Sequence, residues 1–145
     1  MSEISEGANR SGRIVVGVDG SEASVTALRH GIRMANALNA SLEAVTAWRF
    51  STAFALAGEV GYTPEDDAKA IMSGAVKSAL GPAVPSWFSG KTREGNADQV
   101  LIEESTGAEM LVVGSRGHGG LSGLLLGSVS ALCAERAHCP VLIIH

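Results

Sequence analysis

Short apolar runs alternate along the chain with stretches in which apolar residues recur three or four positions apart. The first run, Arg13-Ile-Val-Val-Gly-Val18, ends at Asp19-Gly20 and predicts a buried strand entering a turn. Ser21 follows as a helix cap, and Val25, Leu28, Ile32 and Ala35 then line one helical face. Leu42 to Trp48 predicts a second strand, and Arg49 to Tyr62 an irregular loop. Thr63-Pro64 opens the next helix, with Thr63 as cap and Pro64 at the first helical position. Asp66 and Asp67 suit its positive end, Ile71, Met72, Ala75, Val76 and Ala79 form its buried stripe, and Pro82 and Pro85 end it. Ser86 to Arg93 is a weaker strand candidate, because only Trp87 and Phe88 are strongly apolar. Asn96 and Gln99 have the spacing of a capping box ahead of Val100, Leu101 and Ile102, with Gly107 as the stop. Met110 to Val113 is the clearest buried strand. A helix from Val129 to Ala137 and a last strand from Pro140 to Ile144 complete the chain.

Strands that alternate with helices predict a mostly parallel sheet covered on both faces, an α/β class fold in a single domain. Ligands of such sheets bind at the carboxyl ends of the strands, where the strand order reverses. Two loops meet that condition here, the one after Val18 and the one after Val113. No internal repeat is visible.

Composition narrows the classes of function. The net charge is −4 and no run of Lys or Arg stands out, which argues against a nucleic-acid groove or an anionic membrane surface. No apolar span is long enough for a membrane helix, and the polar residues 1–12 predict a loose N-terminal tail without a leader, so a cytoplasmic protein is expected. Cys133 and Cys139 have no metal or redox spacing and read as small buried hydrophobes. His30, His138 and His145 show no metal spacing either.

Glycine is abundant, and much of it lies in one stretch, Gly114-Ser-Arg-Gly117-His-Gly119-Gly120-Leu-Ser-Gly123-Leu-Leu-Leu-Gly127-Ser128. Glycines allow positive φ and let backbone N–H groups approach a ligand without a Cβ in the way. Gly127-Ser128 stands directly before a helix, whose N-terminal end favours phosphate. Ser128 and Ser130 would add hydroxyl donors and Arg116 a positive charge. Two neighbouring anion sites suit a polyphosphate. Other nucleotide loops fit poorly: Gly90-Lys91-Thr92 lacks the upstream glycine of a P-loop, and the turn after the first strand lacks G-x-G-x-x-G. A serine-hydrolase elbow is missed by one residue at Gly120-Leu-Ser122-Gly123.

Gly114, two residues, Gly117, nine residues and Gly127-Ser128 together resemble the G-2x-G-9x-G-S/T signature of the universal stress protein family, in its ATP-binding branch. The resemblance extends over residues 13–145 and includes Val15-Val-Gly-Val-Asp19-Gly-Ser21, Gly95-Asn-Ala-Asp-Gln-Val100 and Cys139-Pro-Val-Leu-Ile-Ile144. It departs at Ala108-Glu109, where the family commonly has Ala-Asp. It implies a Rossmann-like sheet of five parallel strands in the order 3-2-1-4-5. It also implies a homodimer joined through Val141, Leu142, Ile143 and Ile144, a role in surviving stress, and binding of ATP, often with Mg²⁺, that is hydrolysed slowly or not at all. By the same resemblance Asp19 stands beside the ribose or adenine, with Gly17 and Val18 lining that pocket. Ala47 falls where main-chain atoms read adenine, and Val113 packs near the ribose. Gly114, Gly117, Gly127, Ser128, Val129 and Ser130 hold the ribose and phosphates. Arg116, His118 and Gly119 lie inside the loop without being fixed by the signature.

Plainer readings stand beside these. Asp19 alone would serve as a turn cap, Arg116 as a solvated loop residue and His118 as an exposed one, and Trp48 as packing at the sheet end. Three functions follow: a nucleotide-binding regulator of the stress response, a slow ATPase or phosphotransferase using the same site, and a nucleotide-free interaction module. The first is expected, since no phosphoryl-transfer motif surrounds Asp19 or His118.

Overall fold

A computed structural model describes residues 10–50, 63–117 and 126–145. Five strands are present: β1 (Arg13–Gly17), β2 (Ser41–Trp48), β3 (Phe88–Glu94), β4 (Met110–Gly114) and β5 (Val141–Ile144). Four helices connect them in turn: α1 (Glu22–Leu38), α2 (Pro64–Leu80), α3 (Ala97–Glu104) and α4 (Ser128–Arg136). The sheet is parallel throughout, in the order β3-β2-β1-β4-β5. Its order reverses between β1 and β4, as the family resemblance implies.

The period of two along each strand sorts the core into two layers. Ile14, Val16, Leu42, Ala44 and Val112 face α1 and α2. Val15, Val45, Leu111 and Val113 face the other side, where Val100 and Leu101 of α3 and Cys133 of α4 cover them. Burial of Cys133 pushes its thiol up to about 11, so it stays neutral, as a small hydrophobe should. Cys139 is half-buried, and burial raises its thiol as well.

Helix ends follow the local chemistry in most places. Ser21 Oγ accepts from Ser24 N and caps α1. Thr63 and Asp66 close a reciprocal capping box around the start of α2, with Pro64 at its first position. The box expected at Asn96 and Gln99 is not formed: Asn96 is exposed and its side chain makes no capping bond. The chain enters that helix through Gly95, at φ +142, and the first helical bond runs from Val100 N to the Asn96 carbonyl at 2.9 Å. α4 begins at Ser128, one residue before the expected start.

β3 is the strand whose sequence is least strand-like, and its partners explain why. Lys91 and Arg93 sit on the face that meets α3, where Glu103 and Glu104 replace an apolar layer. Arg10, Ser11 and Gly12 fall inside the stretch read as a tail and are docked. Arg10 Nη1 donates to the Ala40 carbonyl at 3.0 Å, and its guanidinium lies 4.1 Å from the centroid of Trp87. Ser11 N donates to the Asn39 carbonyl at 3.1 Å and Gly12 O accepts from Ser41 N at 3.0 Å. No helix among the described residues is long and apolar enough to cross a membrane.

Candidate functional site

The strand order reverses between β1 and β4, and the two loops leaving their carboxyl ends separate to opposite faces of the sheet. A cleft open to solvent lies there, where sheets of this kind place their ligands. Gly17, Val18 and Asp19 come to it from β1 and its loop, and Ala47 from the end of β2. Val113, Gly114, Arg116 and Gly117 come from β4 and its loop, and Val129 and Ser130 from the first turn of α4. Gly127 and Ser128 do not line it; they stand at the start of α4, immediately before the residues that do. His118 and Gly119 lie outside the described residues, as does the loop expected beyond Phe50.

Four lining residues escaped the reading of the sequence: Ser24, Val45, Ala97 and Leu101. Val45 was legible in principle, because it shares a strand face with Ala47. Ala97 and Leu101 lie on α3, and only the tertiary fold carries that helix over the carboxyl ends of β1 and β2. Leu101 does so closely: a Cβ at Gly17 would fall 2.7 Å from Leu101 Cδ1. Gly17 is thus the notch into which α3 settles.

The polar side of the cleft is held by two hydrogen-bonded turns. Asp19 Oδ1 accepts from Ser21 N at 2.9 Å and from Ser21 Oγ at 2.6 Å. Ser24 Oγ accepts from Asp19 N at 3.2 Å and donates to the Ser21 carbonyl at 2.9 Å. These bonds fix the Asp19 carboxylate, and its Oδ2 faces Gly117, where an added Cβ would come within 2.6 Å of it. On the opposite side the Ser115 carbonyl accepts from Gly127 N at 2.6 Å and from Ser130 Oγ at 2.8 Å. Ser130 is buried and its hydroxyl proton is turned to backbone carbonyls, the second being Gly127 O at 3.1 Å. It braces the loop rather than offering the donor expected of it. Ser128 is exposed and remains at the mouth.

The described glycines of the stretch do not use positive φ. Gly114, Gly117 and Gly127 are absent from the left-handed region, and Gly127 has φ −72. What they supply is close approach. Gly127 is the N-cap of α4, with no side-chain capping bond, so the first N–H groups of that helix open toward the loop. Arg116, exposed, adds a positive charge on the same side. An apolar wall (Val45, Ala47, Leu101, Val113, Val129) therefore meets an uncapped helix end and a cation, the chemistry of a flat apolar ring joined to an anion. The residues present fit a nucleotide in that sense. For a metal they offer Asp19 as the acidic residue of the lining, and no cluster of three His, Cys, Asp or Glu is found among the described residues.

Fold and cleft together define an open, doubly wound α/β protein with a cleft at its switch point. The profile of the universal stress protein family matches residues 11–145, and the chain belongs to that family. Universal stress protein Rv2623 of Mycobacterium tuberculosis is 34% identical over 138 residues, covering 90% of this chain and 44% of its own length. A universal stress protein of Mycolicibacterium smegmatis is 28% identical over 131 residues, covering 90% and 45%. The chain thus spans a little under half of these relatives. A solved universal stress protein in complex with cAMP superposes with a TM-score of 0.69 at 29% identity, over 92% of this chain and 97% of that one. The universal stress protein of Archaeoglobus fulgidus in complex with dAMP gives 0.63 at 21% identity, covering 93% and 98%, a likeness of fold.

Proposed function

We propose that this protein binds ATP or a close adenine nucleotide in the cleft between β1 and β4 and acts as a regulator of the stress response. Nucleotide occupancy would change the loop after β4 or the grip on a partner. The observation that carries the reading is the juxtaposition of the first turn of α4, whose start has no side-chain cap, with an apolar wall inside one cleft. Support comes from the related protein at 29% identity that was solved with cAMP. In this reading adenine lies against Val45, Ala47 and Leu101, and Asp19 accepts from the ribose. The phosphates meet the N–H groups of Gly117 and α4, beside Arg116. A Mg²⁺ ion would come with the phosphates, since such ions take one or two carboxylates at most from a protein and the rest from phosphate and water. Asp19 is held by Ser21, which suits a positioning group better than a base that must take a proton. The free thiols Cys133 and Cys139 suit a cytoplasmic, reducing compartment.

Gly127→Ala tests the reading cleanly. A Cβ there would meet Arg116 Cα at 3.4 Å and Gly117 N at 3.5 Å, ordinary contact, so the protein itself has room for it. The variant is expected to keep its thermal midpoint and to lose about tenfold or more in ATP affinity by calorimetry, because in this reading the phosphates come up to the start of α4, where the methyl group is added. Wild-type protein that binds none of ATP, ADP, AMP or cAMP at millimolar concentration would refute the proposal.

A further inference from the structure

We propose that Glu104 is a positioning residue for this cleft: gripped by Arg13, Lys91 and Arg93, it sets the height at which Ala97 and Leu101 stand over the sheet. The proposal rests on the nucleotide reading above and extends it to a residue at the far end of α3.

The reasoning begins with the helix itself. α3 has eight residues, of which only Val100 and Leu101 are buried, and its N-cap makes no side-chain bond. A helix that short has little stability of its own, so its placement is decided by what it touches. Ala97, Leu101 and Glu104 recur at i, i+4 and i+7 and share one face. The first two line the cleft, and Leu101 sits in the Gly17 notch. Glu104, one turn further, has a side chain only 10% exposed and meets three cations from two strands. Arg93 Nη1 lies 2.9 Å from its Oε2, Lys91 Nζ 3.0 Å from the same oxygen, and Arg13 Nη1 3.6 Å from Oε1. Arg13 Nη2 also donates to the Glu104 carbonyl at 2.7 Å, holding the last turn by its backbone.

The remaining acids close the set. Glu43 of β2 faces Arg13 at 3.2 Å and Lys91 at 3.5 Å, and Glu103 faces Arg93 at 2.6 Å. Three carboxylates therefore balance three cations. Loss of the Glu104 charge leaves three clustered cations on β1 and β3 with two carboxylates, and it removes the attraction that draws the last turn of α3 onto those strands. The last turn of the helix is then held by the Arg13 bond to the Glu104 carbonyl and the Arg93 pair with Glu103. The helix tilts, Leu101 loosens in its notch, and the Ala97 and Leu101 wall shifts against whatever packs on it.

The test is ATP affinity by calorimetry, well below the unfolding temperature, for the full chain, Glu104→Gln and Val76→Ala. Val76 packs on the opposite layer from α2 and serves as a stability control. Glu104→Gln is expected to weaken ATP roughly 3–10-fold through lost wall contact, while Val76→Ala stays within about twofold. Amide exchange without nucleotide should show Val100 and Leu101 losing protection in Glu104→Gln relative to α1 and α2. Should Glu104→Gln fail to fold, Lys91→Gln and Arg93→Gln, each removing one cation, should show the same pattern in smaller degree. Unchanged ATP affinity in the folded variants overturns the proposal, as does an equal loss in Val76→Ala. Wild-type protein without affinity for ATP would refute the nucleotide reading instead, and exchange at Val100 and Leu101 would then decide alone whether Glu104 positions α3.

Discussion

A Cβ built on Gly114 would fall 2.9 Å from the Cβ of Ala23 and 3.0 Å from its carbonyl carbon. The obstacle is backbone at the first turn of α1, which cannot swing aside. Gly114→Ala is therefore expected to cost about 1–3 kcal/mol, as overpacking does, read as a lower urea midpoint with an unchanged slope. The glycines of the signature thus answer to different neighbours: Gly114 to α1, Gly117 to the Asp19 carboxylate, and Gly127, at ordinary contact distance, to the backbone of residues 115–117. Their spacing was legible in the sequence and pointed to the cleft. Their separate reasons were not, because Ala23 and Asp19 reach them only across the β1–β4 switch. Ser130 shows the same limit: its residue type reads as a phosphate donor, and its neighbours make it a brace.

At the scale of elements, β3 and α3 form a layer joined by charge rather than by apolar contact. Burial pushes the Glu104 carboxyl up, but hydrogen bonds from Lys91 and Arg93, together with their charges, outweigh it and hold the group below its ordinary value. Arg93 is raised in turn, first by its hydrogen bond to Glu103 and then by that to Glu104. A carboxylate with a lowered folded pKa gives stability that is complete above its unfolded value, about 4.3, and is lost as pH falls through the folded one. Urea midpoints should therefore fall more steeply below about pH 4 in the wild type than in Glu104→Gln, which has no proton to take up there. Parallel curves would mean that Glu104 does not carry this linkage. The layer also explains which elements were readable. β1, β2 and β4 announce themselves by apolar runs, because each is covered by aliphatic side chains. β3, Phe88–Glu94, holds Lys91, Thr92 and Arg93 where a strand detector wants Val or Ile, since its covering partner is Glu103-Glu104. The Asn96–Gln99 spacing misled as well: the residue types suit a capping box, but the Asn96 side chain makes no capping bond.

For the molecule as a whole, the sheet has two edges of opposite character. The β3 edge carries Lys91, Arg93 and Glu94, which discourage pairing with another strand. The β5 edge, Val141–Ile144, is entirely apolar. Pro140 O and Ile144 O accept from Leu111 and Ser115 beside β4, so the alternation of a parallel ladder turns the N–H groups of Val141 and Ile143 outward. A homodimer through Val141, Leu142, Ile143 and Ile144 would use them. Sedimentation is expected to give twice the 14.8 kDa chain mass for the wild type and a single chain mass for Ile143→Pro, which removes an outward donor and keeps the bonds to β4. A wild type that sediments as a monomer would remove the dimer from the picture. The docking of Arg10 on Trp87 bears on a different matter. That contact lies at the edge where strands begin, while Trp48, one residue beyond Ala47, lies at the edge where they end. The two indoles are thus optical reporters at opposite poles of one sheet, one under the entry of the chain and one beside the cleft. With Trp87 replaced by Phe, the remaining indole emission comes from Trp48, the neighbour of cleft-lining Ala47, and a change in it on adding a ligand can be followed without attaching a dye.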